Sequence, residues 1–301
     1  MRWGRVLFAI ASAAVFACGD WQPTNGDVPD PVGRPVLVGA GDIADCSSDR
    51  DEATAKLIED TDATVFTTGD AVYDSGSADE FRDCYGRSWG RFKSRTRPTP
   101  GNHEYYTEEA AGYFEYFGSP AGEPGQGWYS YDLGGWHIVV LNSNCSAVGG
   151  CGNGSDQLAW LRSDLQKHPS FCTLAYWHHP RFSSGEVHGS HRAVASFWEV
   201  LYDSGADVVI SGHDHSYERF ARQDADGIPD PFGMRQFVVG TGGKELYGFG
   251  TPVANSEIRL DHLFGVLKIE LGNGSYDWDF LPVSSQKSAD SGHEECHEPA
   301  D

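Results

Sequence analysis

Basic residues are scarce in this 301-residue chain, which has 22 lysines and arginines against 44 aspartates and glutamates and a formal net charge of -22. A surface with this balance repels polyanions, so we expect no groove for nucleic acid. Hydrophobic residues make up 39% and charged residues 22%, which is typical of a globular protein with a large core. If the ligand is itself an anion, the positive charge that receives it must be local.

The chain also lacks an apolar run long enough to span a bilayer. Its most apolar segment, residues 6–17, follows two arginines and precedes Cys18. This pattern predicts a signal peptide at residues 1–17. The sequence VFAC is similar to a bacterial lipoprotein box, so we favour a lipid anchor on Cys18 over simple cleavage and release. We therefore expect a secreted or cell-envelope protein whose only membrane contact is that anchor. Residues 18–34 predict a tether.

Paired Cys-x-x-Cys motifs are absent, which excludes a zinc ribbon. Setting Cys18 aside leaves six cysteines, an even number that suits disulfides in an oxidising compartment. Cys145 and Cys151 enclose a short flexible loop and are the pair that we predict first. Six cysteines allow many connectivities, and elimination would then pair Cys46 with Cys84 and Cys172 with Cys296.

Short apolar segments alternate with amphipathic ones from Pro35 onward. The predicted strands are Val36–Ala40, Thr64–Thr68, 136–142, 173–177 and 207–210, and the predicted helices are 48–60, 155–167 and 191–203. Three further β-like segments begin near Gln236, Leu263 and Ser275. This alternation predicts one α/β domain over residues 35–284, with functional loops at the carboxyl ends of its strands. Residues 285–301 are polar and predict a C-terminal tail, with His293 and His297 at the surface.

Residues with functional side chains follow five of the predicted strands. They are Asp42; Asp70 and Tyr73; Asn102, His103 and Glu104; His178 and His179; and His213 and His215. Each set alone is explained by ordinary turn chemistry or by a structural histidine. Because strand ends of one sheet meet at one crevice, we expect the sets to converge. Nitrogen and oxygen donors without thiolate suit iron, zinc or manganese, and their number favours two ions that share a carboxylate.

In chain order these residues form the motifs GD, GDxxY, GNHE, HxP and GHxHxYER, between Asp42 and Arg219. The set resembles the calcineurin-like metallophosphoesterases and, within them, the purple acid phosphatase branch. The resemblance implies a four-layer α/β/β/α sandwich, which agrees with the alternating pattern. The wider superfamily has Asp-x-His where this chain has Ala44 in place of the histidine. Tyr73 replaces that ligand, as in the purple branch, where tyrosinate binds ferric iron.

The resemblance also implies a role for each motif residue. The first metal ion would be held by Asp42, Asp70, Tyr73 and His215, and Asp70 would bridge to a second ion that Asn102, His178 and His213 complete. His103 would be the acid–base residue beside the metals, and His188 lies where the branch has a substrate-contacting histidine. The implied cofactor is a pair of metal ions, Fe(III) with Fe(II), Zn or Mn.

These inferences predict an enzyme that hydrolyses phosphate esters, above all phosphomonoesters, with a metal-bound hydroxide. Activity on diesters or nucleotides at the same site is the nearest alternative. A non-catalytic surface lipoprotein that binds a phosphorylated ligand or a metal is an alternative of another class. The expected partner is a small phosphorylated substrate, and no protein partner is predicted.

Overall fold

The computed structural model describes residue 1, residues 33–284 and residues 287–297. The predicted lipidated Cys18, nearly all of the predicted signal peptide and most of the predicted tether lie outside the described residues. Within the described ranges, no helix is both long enough and apolar enough to cross a membrane.

Fifteen β-strands and five α-helices make up the described part of the chain. The strands are β1 Val36–Ala40, β2 Ala44–Asp45, β3 Thr64–Thr68, β4 Val72–Tyr73, β5 Thr96–Thr99, β6 Tyr129–Leu133, β7 Trp136–Val140, β8 Cys172–Tyr176, β9 Val208–Ser211, β10 Tyr217–Phe220, β11 Arg235–Val239, β12 Ser256–Leu260, β13 Gly265–Leu271, β14 Ser275–Pro282 and β15 Asp290–Glu295. The α-helices are α1 Arg50–Ala55, α2 Ala78–Asp83, α3 Ala111–Phe117, α4 Asp156–Lys167 and α5 Ala195–Asp203. Short 3-10 helices span Tyr85–Arg87, Trp89–Arg95, Glu104–Tyr106, Glu108–Ala110, Ser119–Ala121 and Arg192–Val194.

Two large sheets form the centre of the fold. The first has the strand order β15-β14-β13-β1-β3-β5, and the second has the order β12-β10-β11-β9-β8-β7-β6. Strands β1, β3 and β5 run parallel in the first sheet, and β7, β8, β9 and β11 run parallel in the second. Thr67 pairs with Ala40 on one side and with Pro98 on the other, so the carboxyl ends of β1, β3 and β5 are level. Loops that leave these ends therefore start side by side.

Alternating side chains of β7 show how the layers pack. Ile138 and Val140 lie in a core shared with β1 and β3, whereas Val139 lies in a second core with α4 and α5. Ala55 of α1 and Phe81 of α2 join the first core. Because successive residues of a strand point to opposite faces, β7 packs on the first sheet with one face and on helices with the other. This is the predicted α/β/β/α sandwich.

Three disulfides tie loops and strands together. The predicted pair Cys145–Cys151 is confirmed, and so are the pairs Cys46–Cys84 and Cys172–Cys296 that elimination gave. The last bond joins the start of β8 to the residue after β15, which lie 124 positions apart in the sequence. Disulfides of this kind persist in oxidising compartments.

The predicted C-terminal tail differs from what the structure shows. Strand β15 pairs antiparallel with β14 and forms the edge of the first sheet. Its Asp290 accepts hydrogen bonds from Tyr217 and Arg219 of the YER sequence, at 2.7 Å each. His293 is exposed as predicted, but His297 is buried and donates its backbone N–H to a carboxylate. The sequence of this segment is polar because β15 is an edge strand that forms ion pairs and needs few apolar side chains. Its composition therefore resembles that of a tail.

Candidate metal centre

The carboxyl ends of β1, β3, β5, β8 and β9 meet at one edge of the sandwich, so both sheets contribute to the site. Seven donor side chains converge there: Asp42, Asp70, Tyr73, Asn102, His178, His213 and His215. All except Asn102 and His213 are buried. Buried carboxylates and imidazoles are rare unless they are paired or bind a metal.

The Tyr73 hydroxyl is the centre of the first group of donors. Its oxygen lies 2.8 Å from Asp42 Oδ1, 3.0 Å from Asp70 Oδ2 and 3.2 Å from His215 Nε2. His215 donates its Nδ1–H to the Glu245 carbonyl at 2.7 Å, so its Nε2 presents a lone pair. A phenol has one proton and satisfies one of the three acceptors. The first group therefore has more acceptors than protons.

His178 Nε2 is the centre of the second group. It lies 3.0 Å from Asn102 Oδ1, 3.1 Å from His213 Nδ1 and 3.3 Å from Asp70 Oδ2. His178 donates its Nδ1–H to the Thr68 carbonyl at 2.7 Å. Burial opposes a charge on the ring, but Asp70 raises its pKa to about 9, so without a metal ion Nε2 carries one proton for three neighbouring atoms. A hydrogen bond from the second ring nitrogen to a carbonyl is also what orients a metal-binding histidine.

Asp70 joins the two groups. Its Oδ2 atom lies 3.0 Å from the Tyr73 hydroxyl and 3.3 Å from His178 Nε2, so one carboxylate oxygen borders both groups. Lone pairs that face one another at such distances repel unless a proton or a cation lies between them. Ligand atoms of Asp42, Asp70 and His178 all lie within 4.8 Å of one another. The carboxylate, phenol, amide and imidazole donors therefore fit two metal ions that share Asp70.

Burial and neighbouring charges shift the titration of this cluster. Burial and the charges of Asp42 and Asp70 raise the pKa of Tyr73 far above its ordinary value. Burial opposes ionisation of Asp70, but the charge of His178 and the hydrogen bonds to the carboxylate lower its pKa. Burial and the charge of His178 depress the pKa of His213, so this ring stays neutral, which is the form that can bind a metal. Ionisation of Tyr73 at neutral pH therefore requires a cation next to its oxygen.

Three of the donor residues have positive φ angles, which orient their side chains toward the cluster. Asp42, Asp70 and His213 have φ angles of 59°, 48° and 72°, a region that residues other than glycine seldom adopt and that recurs at functional sites. Neighbouring glycines give these side chains room. A Cβ atom on Gly101 would lie 2.1 Å from Asp70 Oδ1, and one on Gly212 would lie 2.7 Å from Asp42 Oδ2. A larger residue at Gly101 or Gly212 would clash with these carboxylates, so the GN and GH motifs require glycine.

His103, the candidate acid–base residue, lies at the open side of the cluster. Its Nδ1–H donates to the Asp74 carbonyl at 2.6 Å, and its Nε2 lies 4.0 Å from Asp70 Oδ2. The ring packs on Tyr73 at a centroid distance of 4.3 Å. The side chain is 24% exposed, so solvent reaches the ring beside the donors. This position suits a group that transfers a proton to or from a bound ligand.

His188 lies on the opposite side of the cluster and is exposed. Its ring stacks on His213 at 4.0 Å. The loop that holds it is fixed by Asp214, the buried residue between the two histidines of the GHDH sequence. Asp214 accepts the backbone N–H groups of His188 and Gly189 at 3.2 and 3.1 Å and the hydroxyl proton of Ser183 at 2.5 Å. No role was predicted for Asp214 from the sequence, although its position between two candidate ligands marks it.

Glu104 is a second residue whose role was not predicted from the sequence. Its fully buried carboxylate accepts backbone N–H groups from Asp70 at 2.9 Å, Ala71 at 2.8 Å and Gly101 at 2.6 Å. These bonds join the loop after β3 to the loop after β5. Glu104 therefore holds Asp70 in position relative to Asn102. A carboxylate that directly follows His103 in GNHE was the available signal.

Comparison with known proteins identifies the family. The family model described as calcineurin-like phosphoesterase matches residues 14–217. Among solved structures, purple acid phosphatase PPD1 from yellow lupin seeds superposes with a TM-score of 0.72 at 18% identity, covering 89% of this chain and 55% of that one. GAP50, described as the anchor in the inner membrane complex of Plasmodium, superposes with a TM-score of 0.69 at 15% identity, covering 89% and 90%. At these identities the two structures show a shared fold.

Curated relatives point to one branch. Purple acid phosphatase 15 of Arabidopsis thaliana is 33% identical over 173 residues, which are 52% of this chain and 32% of the relative. Probable purple acid phosphatase 20 of the same plant is 30% identical over 243 residues, which are 73% and 55%. This chain thus spans between about a third and just over half of the length of these relatives. It belongs to the calcineurin-like phosphoesterase family, in the purple acid phosphatase-like branch.

Proposed function

We propose that this protein hydrolyses phosphomonoesters at a two-metal site. The observation that carries the proposal is the position of Asp70 Oδ2, which borders both the Tyr73 group and the His178 group. One carboxylate oxygen between two sets of donors is the arrangement that a pair of bridged metal ions requires. The names of the curated relatives support a phosphatase over other members of the family.

The proposed ligand sets follow the two groups. Asp42, Asp70, Tyr73 and His215 would hold one ion, and Asp70, Asn102, His178 and His213 would hold the other. When bound, the two ions would supply positive charge for phosphoryl oxygens and lower the pKa of a bound water. Tyr73 favours Fe(III) in the first position because a hard, highly charged cation best offsets the cost of ionising a buried phenol. Iron, zinc or manganese suits the nitrogen and oxygen donors of the second.

The chain's own residues would then orient the ester and move the proton. His103 keeps its Nδ1–H on the Asp74 carbonyl and, when protonated on both nitrogens, would donate its Nε2 proton to the leaving oxygen and become neutral. Water adds to phosphorus as the bond to the leaving oxygen breaks, and the products are an alcohol or phenol and inorganic phosphate. His188, held by Asp214, would contact the phosphoryl group or the leaving group from the other side.

A second question is whether the protein is an enzyme or a non-catalytic binding protein with the same fold. The same fold occurs in GAP50, described as an anchor, so the fold alone does not establish an enzyme. This chain keeps all seven donors and His103, which a binding protein does not need together. The disulfides indicate an oxidising compartment, and we propose a secreted or cell-envelope location. The predicted signal peptide and the lipid anchor on Cys18 are part of that proposal.

The test combines metal analysis with paired substrates. We expect metal-loaded protein to hydrolyse 4-nitrophenyl phosphate much faster than bis(4-nitrophenyl) phosphate. The reverse preference would replace the phosphomonoesterase with a phosphodiesterase, and no turnover of either would refute an esterase. If the first ion is Fe(III), the protein absorbs visible light, and Tyr73→Phe removes that band. A colourless active enzyme would refute the iron assignment alone.

A further inference from the structure

Two tyrosines border the mouth of the metal centre, by which we mean the exposed side of the donor cluster between His103 and His188. Tyr106 is 66% exposed, and its ring lies 4.7 Å from that of His103. Tyr247 is half-buried, stacks on His215 at 4.1 Å and lies 5.8 Å from His188. Neither tyrosine belongs to the donor set. Aromatic rings bind other flat rings by stacking, so an exposed ring beside His103 is a surface on which an aromatic leaving group can lie.

The charge around this mouth is negative. The Asp74 side chain is 90% exposed, that of Glu245 is 49% exposed, and Glu186 is exposed next to the backbone of Gly248. Lys244 lies 4.8 Å above the Tyr73 ring but is only 14% exposed. Its ammonium is held by Asp45 at 2.8 Å, Glu245 at 3.3 Å and Asp74 at 3.8 Å.

This charge pattern bears on the part of the substrate that lies outside the metal centre. A second phosphate or carboxylate on the leaving group would lie among exposed carboxylates, whose repulsion is screened only beyond about 8–10 Å at physiological salt. The only cation next to Tyr73 that the described contacts reveal, Lys244, is already engaged by three carboxylates. Beyond the imidazoles of His103 and His188, which face the reacting groups, the described residues of the mouth therefore offer the leaving group ring faces and carboxylates.

Resting on the proposed function, we propose that the site selects aryl phosphomonoesters whose phenolic leaving group bears no second anionic group, and that Tyr106 is the main specificity residue. The phenyl ring of the leaving group lies against Tyr106 while its phosphoryl group faces the donors. Hydrolysis breaks the bond between phosphorus and the phenolic oxygen and forms a bond to the oxygen of water. The phenolic oxygen takes a proton and leaves, together with inorganic phosphate.

The experiment compares esters whose leaving groups are equally acidic, because phenols leave more easily than ordinary alcohols. Phenyl phosphate is paired with the phosphate of a fluorinated alcohol of matched pKa, and kcat/KM is measured for both with the metal-loaded enzyme. We expect a preference of about tenfold for the phenyl ester in the wild type, and Tyr106→Ala should reduce it by about fivefold, the worth of one stacked ring. Tyr106→Phe should retain the preference.

Two controls separate stacking from general damage. Phe171→Ala removes a similarly exposed ring at the amino end of β8, far from the mouth, and should leave the preference unchanged. The inhibition constant of phenylphosphonate relative to methylphosphonate should follow the same pattern without any bond cleavage. Phenyl phosphate carrying a 4-carboxylate should be a poorer substrate than the unsubstituted ester, and Asp74→Asn should narrow that difference at low salt.

The outcomes distinguish failure of the specificity proposal from failure of the proposed function. Equal use of the matched esters by the wild type, or a preference that Tyr106→Ala leaves unchanged, would overturn the specificity proposal while phosphatase activity stands. Strong preference for choline phosphate over phenyl phosphate would replace the aryl group with a quaternary ammonium group and also overturn it. No hydrolysis of any monoester would instead refute the proposed function.

Discussion

Glu104→Gln tests whether one buried carboxylate holds two site loops together. Its Oε2 atom accepts the N–H groups of Asp70 at 2.9 Å and Gly101 at 2.6 Å, and its Oε1 atom accepts that of Ala71 at 2.8 Å. Glutamine keeps one acceptor oxygen and turns an NH2 group toward at least one N–H donor. Burial and the charge of Asp70 raise the pKa of Glu104 to about 8, so the comparison is made above that pH, where the clash and the loss of a charged acceptor should cost about 3 kcal/mol. Such a loss corresponds to a fall in Tm of about 6–12 °C for a domain of this size.

The assay is thermal unfolding of metal-free protein, so that metal release does not contribute to the shift. Glu108→Gln is the matched control because it removes the same charge from an exposed side chain four residues further on. Metal affinity should also fall about 10- to 100-fold in Glu104→Gln, as is usual when a group that orients a ligand is lost. A variant that unfolds within about 1 °C of the wild type and binds metal equally well would refute the positioning role.

Three further predictions concern catalysis, pH and the C-terminal strand. His103→Ala should keep its metal and lose about 10²- to 10⁴-fold in kcat, and an unchanged kcat would remove His103 from the reaction. Burial opposes a charge on His137, but hydrogen bonds from each ring nitrogen to a carboxylate at 2.9 Å outweigh burial and raise its pKa. Its contribution to stability is therefore complete below the unfolded pKa of about 6.5 and is lost as pH rises through the higher folded pKa. Urea unfolding of His137→Gln should show a smaller stability loss between neutral and alkaline pH, and an identical profile would contradict the assignment. Replacing Cys172 and Cys296 with serine should cost about 2–4 kcal/mol in urea unfolding, and no change would show that β15 needs no tether.

Sequence patterns predicted the central strands well, because those strands are short, buried and bounded by clear turns. Val36–Ala40 and Thr64–Thr68 agree with the structure at both ends, and each is followed by Gly-Asp. The predicted helix at residues 48–60 ends at Ala55, since the chain continues in turns that still bury Ile58. The predicted start at His191 is four residues early because its N–H bonds to the Pro180 carbonyl and holds it extended.

Elements that rely on partners distant in sequence could not be predicted. Helix α2 has only six residues and buries only Phe81, so its sequence shows no helical repeat of apolar residues. The capping box of Ser77 and Glu80 does mark its start. Strand β15 is polar and exists because β14 supplies its hydrogen bonds. The candidate ligands were predictable as a set, since they follow the strands whose ends converge. Glu104 and Asp214 stand next to candidate ligands in the sequence, but their roles were not predictable, because only the folded structure shows which backbone N–H groups donate to them.

Metal content per chain in Asp70→Asn tests the central claim most directly, because Asp70 Oδ2 is the atom that both donor groups share. Wild-type protein should bind two metal ions per chain. Removing the shared charge should weaken both positions, so Asp70→Asn should retain less than about one ion, whereas His103→Ala should retain two. An Asp70→Asn protein that is folded and still holds two tightly bound ions would contradict the two-metal account.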